Sequence, residues 1–423
     1  MEIIKTFGNY VEKWCENTPD RARWLLTKGW EAQDLKFRLA PSKKINPSDQ
    51  YLARMMMNVM LQPLKHPDQS VLVSVFTPCE LMQEAGLYPY NVESFSCYLT
   101  ASSAERAFLQ SAEDSGLSET LCSYHKTFIG AAEKGLLPKP KCIVYTNLAC
   151  DANLLTFQRL AEFFHVPVFS IDVPSGQTSE NVAYVAAQLR ALRGFLEQTT
   201  GHQIDEGRLV QRVKRGYKTL QQFDAFQSAR ADRFIPSDLV SPLYSGMTNN
   251  ILLGTEEEAL YTEKLLQDVK KAPPKKGKHI YWMHTLPFWS DAVKDALLLN
   301  DDAQIVGCEL SQATDISRYS EDPYEEMAMR LIYHALNGPI SRRINAGIRH
   351  AKQAGADGVV WFNHWGCKHT LGGSRIAKKC FEEAGLPTLI LDGDGCDRSH
   401  GGEGQTSTRL GAFLEMLGDF AHE

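Results

Sequence analysis

Half of the ten cysteines in this 423-residue chain lie directly beside predicted strands or helices. Four follow apolar runs that predict strands, and the fifth opens a run that predicts a helix. Ligands in open parallel sheets bind beyond the carboxyl ends of the strands, and a helix N-terminus favours a thiolate. A single buried cysteine is usually only a small apolar side chain. The prediction of a thiol site therefore depends on the five together, which are Cys79, Cys122, Cys150, Cys367 and Cys396.

The spacing of the cysteines is not that of a structural zinc site. No CxxC pair occurs in the sequence, whereas structural zinc modules usually take their ligands in close pairs. Isolated cysteines on separate loops favour a site that two domains assemble on folding, and an iron–sulfur cluster fits such a thiolate-rich site better than zinc. Two other chemistries stay open on the residues alone. One is a zinc hydrolase that uses His364, Cys367 and His369. The other is a dinucleotide-binding oxidoreductase, against which the lack of a GxGxxG motif counts.

Seven short apolar or β-branched runs, each followed by a helical pattern, predict the strands that position these residues. Continuous apolar strands that alternate with helices are typical of parallel sheets covered on both faces. The predicted fold class is therefore α/β, with two Rossmann- or flavodoxin-like parallel-sheet domains joined by a helical connection. The predicted strands lie at residues 70–76, 142–146 and 166–171 in the first domain, and at 279–283, 304–308, 358–362 and 388–391 in the second.

The clearest boundary in the chain is the segment 270–278, where two prolines and a glycine interrupt a basic run directly before a predicted strand. The sequence before this segment is rich in Leu, Ala, Arg, Gln and Glu, which favours helices. Aromatic residues at helical spacing near the start predict a further helical region. We expect an N-terminal helical extension over residues 1–50, a first α/β domain over 51–180, a helical connection over 181–275 and a second α/β domain over 276–423.

The composition is that of a soluble globular protein, with 43% apolar and 23% charged residues. A net charge of −6 argues against a nucleic-acid partner, because proteins that track a phosphate backbone need clustered positive charge. The sequence shows no stretch of about 18 apolar residues and no secretory signal pattern. We therefore expect a cytoplasmic protein without a membrane span, in which the cysteines stay reduced.

Four sequence blocks carry a resemblance to a known family. They are FTPCELMQEAGLYP, ETLCSYHKTFIGAAEKGLLPKP, YTNLACDANLLTFQRLAEFFHVPVFSIDVP and FNHWGCKHTLGGSRIAKKCFEEAGLPTLILDGDGCDRSHGGEGQTSTRLGAFLEML. Over roughly residues 70–175 and 275–420 the chain resembles subunits of the 2-hydroxyacyl-CoA dehydratases, of the 2-hydroxyglutaryl-CoA dehydratase and benzoyl-CoA reductase type. One branch of the wider family carries a double-cubane cluster, but Cys79, Cys142 and Cys308 do not fall on its pattern.

The resemblance implies one [4Fe-4S] cluster at the interface of the two α/β domains, bound by Cys122, Cys150 and Cys367. Three thiolates on a four-iron cube leave one iron open to a substrate oxygen or a water. Two nearby polar residues are candidates for catalysis. Glu80 is a candidate proton-transfer group, with a helix-start carboxylate as the alternative. His364 is a candidate to tune the cluster or to bind the substrate, with a helix cap as the alternative.

The resemblance also implies a reaction and its partners. An oxygen-sensitive enzyme removes water from an (R)-2-hydroxyacyl-CoA and gives a 2-enoyl-CoA through a ketyl radical, after a separate ATP-dependent activator with its own cluster has injected one electron. This chain has no GxxxxGKS or GxxxxGKT loop, so we expect ATP hydrolysis to occur in the activator. A second, homologous dehydratase subunit completes the implied heterodimer. Two alternatives stay open, namely a benzoyl-CoA reductase-type subunit and a non-catalytic subunit that relays electrons.

Overall fold

Two four-stranded parallel sheets lie at the centre of the protein, which a computed structural model describes over residues 2–312, 314–400 and 402–419. The strands are β1 (Ser70–Val73), β2 (Tyr88–Asn91), β3 (Cys142–Thr146), β4 (Val168–Ile171), β5 (Lys278–Met283), β6 (Ala303–Cys308), β7 (Gly358–His364) and β8 (Thr388–Gly393). The first sheet has the strand order β2-β1-β3-β4, and the second has the order β6-β5-β7-β8. The predicted α/β class with two parallel sheets is confirmed.

Helices surround both sheets and form the chain between them. In the described part of the chain, no helix has both the length and the apolar character that a membrane crossing needs. The helices are α1 (Glu2–Asn17), α2 (Pro19–Leu39), α3 (Pro47–Lys65), α4 (Glu80–Glu84), α5 (Val92–Ala101), α6 (Arg106–Asp114), α7 (Ser123–Glu133), α8 (Ala152–Phe164), α9 (Ser179–Thr200), α10 (Glu206–Arg230), α11 (Ser241–Ile251), α12 (Glu256–Lys271), α13 (Asp291–Leu297), α14 (Glu309–Gln312), α15 (Pro323–Ile332), α16 (Ile340–Gln353), α17 (Lys368–Leu371), α18 (Ser374–Glu383) and α19 (Glu403–Asp419).

The two central strands of the first sheet, β1 and β3, are buried on both faces. Val71 and Val73 pack in one apolar cluster with Leu189 of α9, whereas Leu72 packs in another with Phe95 of α5. Successive side chains of a strand point to opposite faces, so a strand covered on both sides needs an unbroken apolar run. This is why the sequence identifies β3 with the bounds that the structure has.

One strand was not predicted. Strand β2 has the sequence YPYN, which contains a proline and lacks a β-branched run. It pairs only with β1, at the edge of the first sheet. Pro89 is tolerated there because an edge strand does not need every backbone donor for the ladder. Strand β1 also ends earlier than predicted, at Val73, and the chain then turns towards α4.

The helices α9 to α12 connect the two sheets. Helix α10 contacts α4 in the first half of the chain and β6 in the second half, so the connection lies against both. The domain boundaries given above stay a prediction.

Both sheets have the same crossover. Strand β1 lies between β2 and β3, and strand β5 lies between β6 and β7. Where the strand order reverses in this way, the loops that follow the central strands diverge and leave a crevice for ligands. One crevice therefore lies beyond β1 and β3, and a second lies beyond β5 and β7.

Helices α6 and α7 approach each other so closely that a side chain does not fit between them. A Cβ atom built on Gly130 of α7 would lie 2.0 Å from the carbonyl oxygen of Phe108. Cys122, the first cysteine of the predicted site, lies at the start of α7. The packing of α7 against α6 therefore helps to determine where this thiol lies.

We expect the substitution Gly130→Ala to lower the free energy of unfolding by about 1–3 kcal/mol, the usual cost of overpacking. Gly194→Ala in α9 is the matched control, because a Cβ there has no neighbour within 4 Å. That alanine should be neutral or should stabilise the helix by up to about 1 kcal/mol. Urea unfolding followed by circular dichroism measures both effects. If the two variants had equal urea midpoints, α6 and α7 could move apart without loss of stability, which would contradict the prediction.

Candidate active site

A cavity of about 760 Å³ lies at the carboxyl ends of the two sheets. The loops after β1 and β3 and the starts of α5 and α7 form its wall on one side, and the loops after β5 and β7 form the other. The two crevices at the strand-order reversals thus open into one space. Its size is typical of a small-molecule site, for which about 300–1,000 Å³ is usual.

Cys122, Cys150 and Cys367 all line this cavity. Each is half-buried. Cys122 directly precedes α7, Cys367 directly precedes α17, and Cys150 lies just before α8. The fold therefore brings three cysteines from three distant loops to the wall of one cavity, each beside the start of a helix.

The three thiols interact electrostatically. Burial raises the pKa of the Cys122 thiol well above its ordinary value, and negative charge on Cys150 and Cys367 raises it further. Burial also raises the pKa of Cys150 to about 12, again with a contribution from Cys367. Three thiolates in this space repel one another, so a fully deprotonated set requires a bound cation. This chemistry fits a metal centre.

The arrangement fits a cluster better than a single ion. Among the described residues, no three or more His, Cys, Asp or Glu side chains converge closely enough to hold one metal ion. The alternative zinc site of His364, Cys367 and His369 is therefore not formed. In an iron–sulfur cube each thiolate binds a different iron, so its ligands must stand around a cavity and not at one point. Cys122, Cys150 and Cys367 line the wall of one cavity, which is compatible with such a cluster.

His364 lies at the end of β7, buried between the two halves of the protein. Its Nε2 atom is 3.2 Å from the sulfur of Cys122, and its Nδ1 atom accepts a hydrogen bond of 3.1 Å from the backbone N–H of Gly395. Burial lowers the pKa of His364, while Asp394 acts in the opposite direction. The imidazole is therefore neutral and contacts a cavity sulfur directly.

The loop after Cys367 is held by a fully buried arginine. Arg343 donates two hydrogen bonds of 2.5 and 2.6 Å to Glu309. Its Nη1 atom also donates to the carbonyl oxygen of His369 at 3.0 Å and to Oγ1 of Thr370 at 3.1 Å. The ion pair therefore fixes the backbone turn that positions Cys367.

Glu80 lies elsewhere. It is fully buried at the start of α4, its carboxylate pairs with Arg330 of α15, and the described lining of the cavity does not include it. The short loop between β1 and α4 turns this side chain away from the cavity. The structure thus places Glu80 in an internal ion pair that joins two helices.

Two cavity residues were missed by the sequence reasoning. Glu93 lines the cavity from the start of α5, just after β2, and its Oε2 atom is buried with no partner among the described residues. Burial raises the pKa of Glu93 to about 7. Recognition of β2 as a strand would have pointed to Glu93, because it follows the carboxyl end of that strand.

The second missed residue is His284, which directly follows β5 and lines the cavity. Its φ angle of 77° is unusual for a residue with a side chain, and such strain is concentrated at functional sites. Its Nδ1 atom is buried without a partner in the part of the chain that the structure describes. Burial lowers the pKa of His284 well below its ordinary value. The signal in the sequence was its place at the end of a predicted strand.

Comparison with known proteins identifies relatives that match most of this chain. The family model described as 2-hydroxyglutaryl-CoA dehydratase, D-component, matches residues 74–417. The (R)-phenyllactyl-CoA dehydratase alpha subunit of Clostridium sporogenes is 21% identical over 362 residues, which cover 80% of this chain and 87% of the relative. The (R)-2-hydroxyisocaproyl-CoA dehydratase alpha subunit of Clostridioides difficile is 22% identical, covering 81% and 88%. The (R)-phenyllactyl-CoA dehydratase beta subunit of Clostridium sporogenes is also 22% identical, covering 84% and 94%.

We expect Arg343→Met to lower the free energy of unfolding by about 3–5 kcal/mol, because it leaves Glu309 buried without its partner. The double variant Arg343→Met with Glu309→Gln should recover part of this loss, since it removes the unpaired charge. Chemical denaturation of the two single variants and the double variant measures the coupling. Strictly additive losses would contradict the direct pairing of the two side chains.

Proposed function

Since the chain belongs to the 2-hydroxyglutaryl-CoA dehydratase D-component family, we propose that it is a subunit of an oxygen-sensitive 2-hydroxyacyl-CoA dehydratase. The observation that supports this most is the cavity at the two strand-order reversals, with Cys122, Cys150 and Cys367 on its wall. We propose that these three cysteines hold a [4Fe-4S] cluster. Three protein ligands leave one iron of such a cube available to substrate.

The proposed reaction removes water from an (R)-2-hydroxyacyl-CoA to give a 2-enoyl-CoA. Its difficulty is that the hydrogen on the β-carbon is scarcely acidic. One-electron reduction of the thioester carbonyl to a ketyl radical allows the neighbouring hydroxyl to leave, and the β-hydrogen of the resulting radical is acidic. After the β-proton is removed, the product radical gives the electron back, so the reaction is redox-neutral overall. A bound cluster would supply the electron and a Lewis-acidic iron for the departing hydroxyl.

The protein must then accept the β-proton, and Glu93 is the residue that we propose for this role. Its half-buried carboxyl group lies on the described wall of the cavity with the Oε2 atom buried, and it has no ion-pair partner there. A carboxyl group with a pKa of about 7 changes protonation state close to neutral pH, which suits a general base. Glu80, paired with Arg330, is not proposed as a base.

The cavity wall would limit the access of water to the reaction. Apolar side chains make up much of this wall, and they come from both halves of the protein. Apolar surroundings strengthen electrostatic interactions and help to protect a radical from side reactions. The apolar lining includes Val75, Phe76, Leu121, Leu148, Leu155, Leu243, Met247 and Leu310.

The relatives named above include an alpha and a beta subunit of one dehydratase. We therefore propose that this chain pairs with a second, homologous subunit. We also propose that a separate ATP-dependent activator with its own cluster supplies the electron, and that the complex acts in the cytoplasm on an acyl-CoA.

Two alternatives use the same cavity. A benzoyl-CoA reductase-type subunit would reduce an aromatic acyl-CoA, and a relay subunit would only pass on an electron. The described cavity favours a catalytic subunit over a relay, because it offers space for an acyl group and a carboxyl group without a counter-ion. Assays of the activated complex with (R)-phenyllactyl-CoA, (R)-2-hydroxyisocaproyl-CoA and benzoyl-CoA separate the dehydratase from the reductase.

Iron and sulfide content tests the proposed cluster. We expect the anaerobically purified chain to hold about four irons, one cubane cluster, and to lose them in air. Replacing Cys122, Cys150 or Cys367 by serine should lower the iron content strongly, because each substitution removes a thiolate. Cys380→Ser is the matched control, since Cys380 is also half-buried but is not part of the described cavity wall. A chain that stays free of iron after anaerobic reconstitution would refute the proposal.

Glu93→Gln tests the proposed base. We expect it to reduce the dehydratase rate by about 10²–10⁴-fold, the usual contribution of a general base, while iron content stays at the wild-type level. Glu258→Gln is the matched control, because the pKa of the buried Glu258 is likewise raised, to about 8, and Glu258 lies outside the described cavity wall. A Glu93→Gln enzyme that keeps more than about a tenth of the rate would exclude Glu93 as the base.

A further inference from the structure

Cys122, Cys150 and Cys367, the three proposed cluster ligands, share a feature that Cys15, Cys79 and Cys308 lack. Each of the three ligand sulfurs contacts a buried side chain that can donate a hydrogen bond to it. The partners are His364 for Cys122 at 3.2 Å, Thr370 for Cys367 at 3.3 Å, and His125 for Cys150 at 3.8 Å. None of the three partners is more than 2% exposed, so water does not compete for these contacts.

The direction of the His364 contact follows from its other ring nitrogen. The backbone N–H of Gly395 points at Nδ1 of His364, and a backbone N–H can only donate. Nδ1 is therefore an acceptor, and the proton of the neutral ring is on Nε2. That N–H is directed at the sulfur of Cys122. His364 thus donates to the sulfur.

The direction of the Thr370 contact follows from Arg343 in the same way. A guanidinium group can only donate, and Nη1 of Arg343 donates to Oγ1 of Thr370. The hydroxyl hydrogen of Thr370 is therefore available for Cys367. Arg343 is itself fixed by Glu309, so the orientation of this hydroxyl depends on the buried ion pair.

Three of the other buried cysteines have the opposite environment. A carbonyl oxygen accepts a hydrogen bond and cannot donate one, so a cysteine that faces a carbonyl is suited to remain a protonated thiol. Cys396 has a mixed environment, because its sulfur contacts the hydroxyls of Thr100 at 3.1 Å and Thr127 at 3.4 Å and also the carbonyl oxygen of Ser96 at 4.0 Å. The cysteines that donate to carbonyl oxygens are Cys15 to Lys134 at 3.4 Å, Cys79 to Thr77 at 3.2 Å and Cys308 to His284 at 3.4 Å.

We propose that His364 and Thr370, with His125 as a weaker third, are positioning residues that donate hydrogen bonds to the cluster sulfurs and raise the reduction potential of the cluster. This inference rests on the proposed function, because it needs a cluster on these cysteines. Hydrogen bonds to the sulfurs withdraw negative charge from them, which stabilises the reduced cluster with its additional electron. With these donors, the cluster accepts an electron more easily than a cluster whose cysteine sulfurs receive no hydrogen bonds.

Thr370→Val tests the inference, because valine keeps the shape of threonine and removes the hydroxyl. At the wild-type midpoint potential, we expect the ratio of reduced to oxidised cluster to fall about tenfold, which is a shift of about 59 mV for one electron. Thr370→Ser should keep the wild-type potential. Thr127→Val is the matched control, because Thr127 is buried and contacts the sulfur of Cys396 at 3.4 Å, outside the described cavity wall. A redox titration of the anaerobic protein, followed by electron paramagnetic resonance, measures all four proteins.

The outcomes separate this inference from the proposed function. A wild-type chain without a cluster would overturn both. A cluster whose potential is the same in the Thr370→Val and Thr370→Ser variants would overturn the inference and leave the proposed function intact. If Thr370→Val does not retain iron, His364→Leu is measured in its place and should also lower the potential. In the wild-type protein, iron–sulfur stretching bands should shift on exchange into D₂O, and unshifted bands would count against the donors independently of any variant.

Discussion

The site depends on a close backbone contact between the two halves of the protein. Gly366 has a φ angle of +81°, and a Cβ atom there would lie 2.8 Å from Cα of Cys122. Only glycine combines this conformation with such a short approach. This contact determines the distance between the loop of Cys367 and the start of α7. It therefore also determines the width of the cavity between the thiols of Cys122 and Cys367. A single glycine therefore controls the spacing of ligands that are far apart in sequence.

Polar contacts around this point determine how the two halves are oriented. Ser123, next to Cys122, donates a hydrogen bond of 2.6 Å to Asp394, and the Tyr124 hydroxyl lies 2.7 Å from that of Thr285. Apolar surfaces can slide over one another, whereas hydrogen bonds between buried groups have fixed directions and cost energy when they are broken. The buried network therefore makes the cavity rigid enough to present its thiols and their donors at defined distances.

The sequence predicted the α/β class and most strands, because strands buried on both faces leave continuous apolar runs. It did not reveal β2, whose edge position permits a proline, and with β2 it missed Glu93. The placement of cysteines after strands and before a helix pointed to five cysteines, and only the resemblance to the dehydratase family selected Cys122, Cys150 and Cys367 among them. The carboxyl group was chosen by proximity to Cys79, which led to Glu80. Whether a carboxylate faces a cavity or Arg330 depends on distant packing that local sequence does not encode.

The balance of charge around the cavity explains why donors stand beside the sulfurs. Arg343 is the buried cation on the described wall, and Glu309 neutralises it. The described wall also carries the exposed side chains of Lys368 and Asp151, so its thiols and the carboxyl group of Glu93 have no buried positive charge left to offset them. In the proposed site, a bound metal centre would supply positive charge beside the thiolates of Cys122, Cys150 and Cys367. Neutral donors such as His364 and Thr370 can reduce the charge on each sulfur without adding a competing cation, so they adjust the affinity of the centre for an electron and leave its binding to the cysteines.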